Sequence, residues 1–319
     1  MKAVITGISG QDGAYLANEL LLEGFQVIGT TRNLHSRPIG LEYLKIKNEI
    51  HFVNIQLENK IEVEIFLKKY KPEFIFHLAA VSSVSYSFKN PEETIFFNLK
   101  STLNLLEAIR LFSPSTRLYQ AASSEMFGYS NSLPIKEDTL HNPKSPYAVS
   151  KSACYNLVKN YRESYGIYAS SGILFNHESV LRRDGFFIKK LIKSCLDIIN
   201  GKVNEIKFGN LEVKRDFGFA PDYVKAMIQM MKIDNPDDFI ICSGEAVCLE
   251  DIVIHLFNYL NIDLDKIKVD KELYRPSEIP IIYGDNSRAK QELKWEYSRN
   301  FKDVVINIFN EYQNNIDRL

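Results

Sequence analysis

Two short segments of the sequence carry four groups suited to acid–base chemistry: Ser123 and Glu125 in the first, Tyr147 and Lys151 in the second. A Ser-Pro pair precedes Tyr147 and provides an N-cap and a first helical residue, so Tyr147 and Lys151 are expected on one helix face. We expect the ammonium to lower the pKa of the phenol, which would make Tyr147 a usable proton acceptor near neutrality. Strand-like sequence precedes Ser123, and alternation along a strand directs Ser123 and Glu125 to the same side.

The Tyr-x-x-x-Lys spacing is common, and the chain contains it three times, at Tyr43/Lys47, Tyr147/Lys151 and Tyr155/Lys159. One such pair alone is typical of a solvated helix face. The pair at Tyr147 is favoured because Ser123, Glu125 and a glycine-rich loop accompany it.

The glycine-rich loop Gly7-Ile8-Ser9-Gly10-Gln11-Asp12-Gly13 follows the first predicted strand and opens the first predicted helix. Glycines permit a tight turn and a close approach of backbone amides to a pyrophosphate, while the helix N-terminus supplies positive potential. The loop therefore predicts a dinucleotide site, to which Tyr147 and Lys151 also belong.

The second predicted strand ends with Thr30-Thr31-Arg32 and lacks the acidic residue that binds the ribose of NAD. A guanidinium at this position suits a ribose 2′-phosphate, so NADP is favoured over NAD. The alternative is that Arg32 is an ordinary surface arginine.

Composition narrows the class of protein. The 319 residues carry a formal charge of −1, which gives no electrostatic footprint for nucleic acid or an anionic membrane. The glycine loop begins too early for a secretory signal, and apolar runs are too short for a membrane span, so a cytoplasmic protein is expected. The four cysteines and six histidines lack ligand spacing, so we expect reduced thiols and no metal site.

Strands and helices alternate in the first half of the chain. Strands are predicted at residues 3–6, 26–30, 51–55, 74–79, 117–122 and 169–174, and a returning strand at 239–242. Helices are predicted at 14–23, 61–70, 94–112, 146–165, 187–200, 222–232, 249–258 and 301–312. This pattern predicts an α/β fold, a Rossmann-type doubly wound parallel sheet with a smaller, mostly C-terminal substrate-binding domain. We expect residues 1–175, with a returning segment near 208–245, to bind NADP, and residues 176–319 mainly to bind substrate.

Several blocks together resemble the GDP-mannose 4,6-dehydratase group of the extended short-chain dehydrogenase/reductase superfamily. Beyond the glycine loop they are Ser124-Glu125-Met-Phe-Gly128, Ser145-Pro-Tyr147-Ala-Val-Ser-Lys151, Asn176-His-Glu-Ser179, Lys214-Arg-Asp216 and Tyr274-Arg-Pro-Ser-Glu278. The resemblance implies a catalytic set of Ser123, Glu125, Tyr147 and Lys151. It implies further cofactor contacts at Arg32, Asn54, Ile55, Leu78, Ala80, His177 and Arg182. It implies nucleotide-sugar contacts at Ser82, Asn176, Lys190, Arg215, Arg275 and Glu278. Without the resemblance, Arg215-Asp216 would equally suit a surface ion pair.

The implied reaction oxidises a GDP-hexose at C4, removes water across C5 and C6, and returns the same hydride to C6. Asn33-Leu-His-Ser and the stretch from Ala80 to Ser85 depart from the family pattern. GDP-mannose and GDP-N-acetylglucosamine are therefore both candidate substrates, and a homodimer and a homotetramer both stay open. Helices 94–112 and 146–165 could form the subunit interface or pack on the sheet. The rival functions are a C4 reductase or epimerase of the same superfamily and a non-catalytic NADP sensor.

Overall fold

A parallel β-sheet with helices on both faces forms the centre of the molecule. The computed structural model describes residues 1–34, 37–274 and 276–319. Its strands, in chain order, are Lys2–Thr6 (β1), Gln26–Thr31 (β2), His51–Asn54 (β3), Phe74–His77 (β4), Arg117–Ser123 (β5), Ala169–Leu174 (β6), Asn176–Glu178 (β7), Ile206–Phe208 (β8), Lys214–Arg215 (β9), Phe217–Phe219 (β10), Phe239–Ile241 (β11), Val247–Cys248 (β12), Ile267–Val269 (β13) and Ile281–Ile282 (β14).

Helices connect most of these strands. They are Gln11–Leu22 (α1), Ile39–Tyr43 (α2), Lys60–Tyr70 (α3), Val84–Lys89 (α4), Pro91–Phe112 (α5), Pro146–Tyr165 (α6), Phe187–Ile199 (α7), Ala220–Met230 (α8), Leu249–Tyr259 (α9), Ser287–Glu292 (α10) and Phe301–Asn314 (α11). Short 3₁₀ turns occur at Lys47–Glu49, Ser124–Phe127, Leu264–Lys266, Lys271–Leu273 and Ile316–Arg318.

The strand order of the main sheet creates the crevice in which a ligand can bind. Its order is β11-β6-β5-β4-β1-β2-β3, and all neighbours run parallel. The direction of winding reverses between β1 and β4, so the loops after these two strands diverge and leave a gap at the carboxyl edge. The glycine loop follows β1 at this edge, and Ser123 ends β5 there. The predicted doubly wound fold is confirmed.

Most elements agree with the sequence prediction, and the returning strand is one of them. Strand β11 pairs with β6 at the edge of the main sheet, as expected. Helix α1 begins three residues earlier than predicted because Gly10 already acts as its N-cap residue. The proposed division into two domains stays a prediction.

The second half of the chain adds small sheets beside the main one. Strands β12, β9 and β14 form one of them, while β10 pairs with β7 and β13 with β8. A separate apolar cluster, which includes Ile188, Phe208, Phe257 and Phe309, packs α7, α9 and α11 together. Two of these short strands hold candidate substrate residues, Asn176 on β7 and Arg215 on β9, and none of these short strands was predicted.

Within these described residues, no helix combines the length and apolar character that crossing a membrane requires. Cys154, Cys195 and Cys242 are buried free thiols, and Cys248 is a partly exposed one.

Candidate active site

The four proposed catalytic side chains meet where β5 ends and α6 begins. Ser145 caps α6 by accepting a hydrogen bond from the amide of Ala148 at 3.1 Å, and Pro146 takes the first helical position. This start directs Tyr147 toward the end of β5, where the Ser123 hydroxyl lies close enough to its phenol to lower the pKa of Tyr147. Glu125 lies in the 3₁₀ turn after β5 and not on a continued strand, so its side-chain direction comes from the turn.

Lys151 contacts the backbone of β5 next to this site. Its Nζ donates a hydrogen bond of 2.6 Å to the carbonyl of Ala121 on β5 and lies 5.9 Å from the centroid of the Tyr147 ring. The side chain is only 4% exposed, and burial lowers its pKa. Lys151 therefore ties α6 to β5 and holds Tyr147 against Ser123.

The pKa of Tyr147 corrects one sequence-based expectation. Burial raises it to about 12, the nearby Ser123 hydroxyl opposes the rise, and the charge of Glu125 adds to it. The expected depression of this pKa is wrong for the structure because the cost of burying the charged phenolate outweighs the effects of its neighbours. Tyr147 is thus a neutral phenol at pH 7 until a bound group changes its surroundings.

The glycine loop has the shape required to hold a pyrophosphate. Gly7 adopts a φ of +74°, and a Cβ there would lie 2.9 Å from the amide nitrogen of Ala79. A Cβ at Gly13 would lie 2.5 Å from the carbonyl oxygen of Gly7, so neither position accepts a larger residue. Gly10 closes the turn by donating to that same carbonyl at 2.9 Å. The loop and the N-terminus of α1 fit a dinucleotide phosphate.

The next two loop residues bind the segment after β6. The Nε2 atom of His177 lies 2.9 Å from Oδ2 of Asp12, and the amide of Gln11 donates to the carbonyl of His177 at 3.1 Å. Ser179 in turn donates to Oε1 of Gln11 at 2.7 Å. His177 also stacks on Tyr223, with ring centroids 4.9 Å apart. In this structure, therefore, the contacts of Gln11 and Asp12 with His177 hold the glycine loop against the segment after β6.

Charge determines the protonation of the Asp12–His177 pair. Burial alone would raise the pKa of Asp12, but the charge of His177 and its hydrogen bond lower it to about 2. Burial alone would lower the pKa of His177, but Asp12 raises it above its usual value. The pair is an ion pair at mildly acidic pH.

Arg182 lies beside the Asp12–His177 pair and contacts both the carboxylate of Glu178 and the ring of Phe186. Its Nε lies 3.3 Å from Oε2 of the buried Glu178, and its guanidinium carbon lies 3.7 Å from the centroid of Phe186. Both atoms of the ion pair lack a hydrogen-bond partner in the described structure, so the contact is a charge interaction without hydrogen-bond geometry. Burial raises the pKa of Glu178 against the opposing charge of Arg182.

Two candidate substrate residues lie close together, one on β9 and the other in the loop before β14. Arg215 on β9 is 6% exposed, and its guanidinium lies 3.9 Å from the carboxylate of Glu278. Asn176 on β7 is half-buried, whereas Lys190 on α7 is exposed and donates to the carbonyl of Lys207 at 2.6 Å. The predicted residue Arg275 lies outside the described residues.

Asp216 was not proposed as a functional residue, and the surface ion pair considered for Arg215-Asp216 is wrong. Asp216 is fully buried and accepts hydrogen bonds from the amides of Ser243, Gly244 and Gly284 and from the Ser243 hydroxyl. Burial raises its pKa to about 6 against these hydrogen bonds. The signal in the sequence was the Ser243-Gly244 turn, which leaves amides without strand partners.

The other predicted contacts follow the edge of the sheet. Arg32 follows β2 and lies over Phe97 at 5.0 Å from the ring centroid. Asn54 ends β3 and is exposed, while Ile55 after it is buried. Leu78 and Ala80 follow β4 and are half-buried, and Ser82 in the same loop is exposed.

The family is established by comparison with known proteins. The family model for GDP-mannose 4,6 dehydratase matches residues 4–308. The chain belongs to this family. A GDP-mannose 4,6 dehydratase of Arabidopsis thaliana is 37% identical over 95% of this chain and 84% of its own length. The Homo sapiens protein of the same name is 36% identical over 95% of this chain and 89% of its own.

Solved structures share the fold of this GDP-mannose 4,6-dehydratase family member. A dTDP-glucose 4,6-dehydratase from Streptomyces venezuelae, solved with NAD, superposes with a TM-score of 0.89 at 17% identity, covering 99% of this chain and 98% of that one. The Pseudomonas aeruginosa protein RMD, solved with NADPH, gives a TM-score of 0.81 at 22% identity, covering 98% and 99% of the two chains. At these identities the likeness concerns the fold.

Proposed function

We propose that this chain removes water from a GDP-hexose, GDP-mannose or GDP-N-acetylglucosamine, and releases the GDP-4-keto-6-deoxy sugar. The observation that carries the proposal is the grouping of Ser123, Tyr147 and the Glu125 carboxylate where β5 ends and α6 begins, close enough for Ser123 and Glu125 both to shift the pKa of Tyr147. These groups lie at the same edge of the sheet as the glycine loop, in a member of a 4,6-dehydratase family. A simple alcohol dehydrogenase needs the phenol, whereas elimination also needs the carboxylate.

The cofactor is a nicotinamide dinucleotide held by the glycine loop, with residues 1–175 and the segment near 208–245 as its domain. Residues 176–319 would mainly bind the nucleotide sugar. When bound, the dinucleotide supplies the hydride acceptor for sugar C4 and the hydride donor for C6. We favour NADP because Thr31 and Arg32 stand where an NAD site carries an acid.

Proton transfers are assigned to this chain's own side chains. Once bound groups have lowered its pKa and it has lost its own proton, Tyr147 accepts the proton of the sugar O4, and Ser123 donates a hydrogen bond to that oxygen through its hydroxyl. The C4 ketone acidifies the C5 hydrogen, which Glu125 removes as a base. Glu125 then gives this proton to the departing O6, so that the oxygen leaves as water. When C6 has received the hydride, C5 takes up one proton from solvent, which balances the O4 proton taken by Tyr147. Lys151 keeps Tyr147 and Ser123 at hydrogen-bond distance by binding the Ala121 carbonyl.

Binding of the diphosphate and ribose is assigned to the region around β9, in the sheet of β12, β9 and β14. Arg215 has the planar donors that match a diphosphate, and Glu278 beside it can accept hydrogen bonds from ribose hydroxyls. Asn176, Lys190, Ser82 and Arg275 complete the proposed contacts. A cytoplasmic location is a further proposal. The protein is also proposed to be a homodimer or a homotetramer, and light scattering of the purified protein distinguishes these two states.

Product mass tests the proposed function. Purified protein is incubated with catalytic NADP and either GDP-mannose or GDP-N-acetylglucosamine, and the products are analysed by mass spectrometry. Loss of one water without net reduction of the coenzyme is the expected result. A product of unchanged mass would indicate an epimerase, and stoichiometric consumption of NADPH would indicate a reductase.

A further inference from the structure

A buried carboxylate lies directly beside the residue assigned to the diphosphate. Asp216 follows Arg215 in the chain, links strands β9 and β10, and is fully buried. Its Oδ1 accepts hydrogen bonds from the amide and the hydroxyl of Ser243 at 2.8 and 2.7 Å. Its Oδ2 accepts the amides of Gly244 and Gly284 at 2.9 and 3.3 Å. One side chain therefore joins the β9–β10 link, the loop after β11 and the loop after β14.

These segments belong to two different sheets. Strand β11 is an edge strand of the main sheet, and Ser243 and Gly244 follow its carboxyl end. Strands β9 and β14 belong to the small sheet, in which Arg215 is aligned with Ile282. Because Asp216 binds the loop after β11, its carboxylate connects the small sheet with the carboxyl edge of the main sheet.

The register of the main sheet relates this connection to the catalytic groups. Ser123 at the end of β5 is aligned with Leu174 of β6, and Leu174 is aligned with Ile241 at the end of β11. Neighbouring strands lie about 4.8 Å apart, so the loop that Asp216 binds begins about 10 Å from Ser123 along the sheet. The carboxylate thus holds the small sheet close to the proposed site of hydride transfer.

The loop after β14 also contacts the catalytic segment. The amide of Ile135 donates to the carbonyl of Tyr283, and the amide of Asp285 donates to the carbonyl of Ile135, both at 2.9 Å. Ile135 lies in the segment between Glu125 and Tyr147. The loop that the buried carboxylate binds is therefore paired with the chain that joins two of the proposed catalytic residues.

We propose that Asp216 is a positioning residue that sets the distance between Arg215, which binds the diphosphate, and the catalytic groups Ser123 and Tyr147. A GDP-hexose must reach from Arg215 to these groups, and a displacement of about 1 Å can cost about 10² in turnover. Asp216 acts through the backbone of Arg215 and touches neither substrate nor cofactor. The inference rests on the proposed function because it requires a nucleotide sugar bound at Arg215.

Calorimetric titration with GDP tests this assignment without turnover. The variants are Asp216→Asn, Arg215→Gln and the double variant. The titrations are done at pH 8, where Asp216 is ionised because burial raises its pKa only to about 6. The side-chain nitrogen of Asn cannot accept a hydrogen bond, so at least one donor that Asp216 binds loses its acceptor and a loop must move.

Asp238→Asn is the matched control for the loss of a buried carboxylate. Asp238 is 3% exposed, accepts the amide of Ser171 at 2.7 Å and forms an ion pair with Arg162 at 2.7 Å. It precedes the amino end of β11, on the opposite edge of the sheet from Ser243. NADP affinity and thermal unfolding report whether each variant is folded.

Asp216→Asn is expected to weaken GDP binding about tenfold or more and NADP binding at most about twofold. In the Arg215→Gln background the same substitution should change GDP affinity less than about twofold, because the contact that it disturbs is already absent. Turnover at saturating GDP-sugar should also fall about tenfold or more in Asp216→Asn, since the sugar is displaced from Tyr147. Asp238→Asn should lower the unfolding temperature but leave turnover and GDP affinity within about twofold of the wild type.

Ser243→Ala is a milder variant that keeps the backbone hydrogen bonds of Asp216 and removes one hydroxyl donor. It should weaken GDP binding about two- to threefold, and only when Arg215 is present, so it carries the test if Asp216→Asn does not fold. Unchanged GDP affinity, equal losses for GDP and NADP, or additive effects with Arg215→Gln would overturn the inference. A wild type that does not bind GDP would contradict the proposed function itself.

Discussion

His177 and Asp12 form an ion pair of 2.9 Å that joins the glycine loop to the segment after β6. The pair connects two parts of the chain that are far apart in sequence, and its neighbours Gln11 and Ser179 repeat the connection through a second hydrogen bond. The dinucleotide loop and the candidate substrate strand β7 therefore have a fixed separation. A hydride can pass between two bound molecules only if that separation is short.

Replacing Asp12 by Asn should lower the free energy of unfolding in a pH-dependent way. The raised pKa of His177 stabilises the fold fully below about pH 6.5, and this contribution is lost as pH rises through the folded pKa. The lowered pKa of Asp12 stabilises it above about pH 3.8, with loss toward pH 2. We expect a cost of about 1–3 kcal/mol at pH 5 and less at pH 9.

Urea titrations of the wild type and Asp12→Asn at the two pH values measure this cost. Asp184→Asn is the matched control, because Asp184 pairs with Lys193 at 2.8 Å on the surface, where such pairs contribute little. An Asp12→Asn cost that is the same at pH 5 and pH 9 would show that the ion pair contributes nothing.

Tyr147→Phe should reduce turnover by about 10²–10⁴ while dinucleotide affinity is retained, because the phenol is the proposed proton acceptor. The matched control is Tyr155→Phe, on the same helix and with a half-buried phenol, which should leave turnover unchanged. Steady-state rates and calorimetric affinities check both statements. Tyr147→Phe with wild-type turnover would remove Tyr147 from the mechanism.

Glu125→Gln should stop the reaction after oxidation at C4. Gln has nearly the same size but cannot take the C5 proton, so we expect dehydration to fall by about 10²–10⁴. Incubation in D₂O with detection of deuterium at C5 measures proton removal directly. Glu137→Gln is the control, since Glu137 is another half-buried carboxylate whose Oε1 accepts the amide of Ile240. Normal C5 exchange in Glu125→Gln would assign the proton transfer to another group.

Asp216 should make the protein less stable as pH rises from about 4 to 6. Its pKa is raised from 3.8 to about 6, so the folded state holds a proton that the unfolded chain releases, and this favours unfolding. The shift corresponds to about 3 kcal/mol. Asp216→Asn removes the titration but leaves amides that its side-chain nitrogen cannot satisfy, so it should be less stable at pH 4. Thermal unfolding across this pH range compares the two proteins, and a parallel pH dependence would contradict the assignment.

The sequence predicted local backbone geometry where short-range rules determine structure. The Ser-Pro start of α6 and the glycine loop fix backbone geometry over a few residues, so Tyr147 and Gly7 lie as expected. It did not predict contacts set by packing at long range. Lys151 binds the Ala121 carbonyl because β5 and α6 pack together. Residue spacing within one helix or strand does not predict a contact between two such elements.

The short strands of the second half and the burial of Asp216 were also missed because local sequence patterns do not determine them. The short strands β7 to β10 have too few residues to show a period of two. Asp216 is buried because two loops from distant parts of the sequence, at Ser243-Gly244 and at Gly284, converge on it. The fold was predictable from repeated local patterns, whereas burial and the pKa of each group depended on the tertiary structure.

The most direct test of the central claim follows the hydride itself. GDP-mannose labelled with deuterium at C4 is incubated with the enzyme and unlabelled NADP, and the product is examined by mass spectrometry and NMR. Internal transfer predicts a product that has lost one water and carries the deuterium at C6. Deuterium in released coenzyme, or a product without the label at C6, would contradict the mechanism.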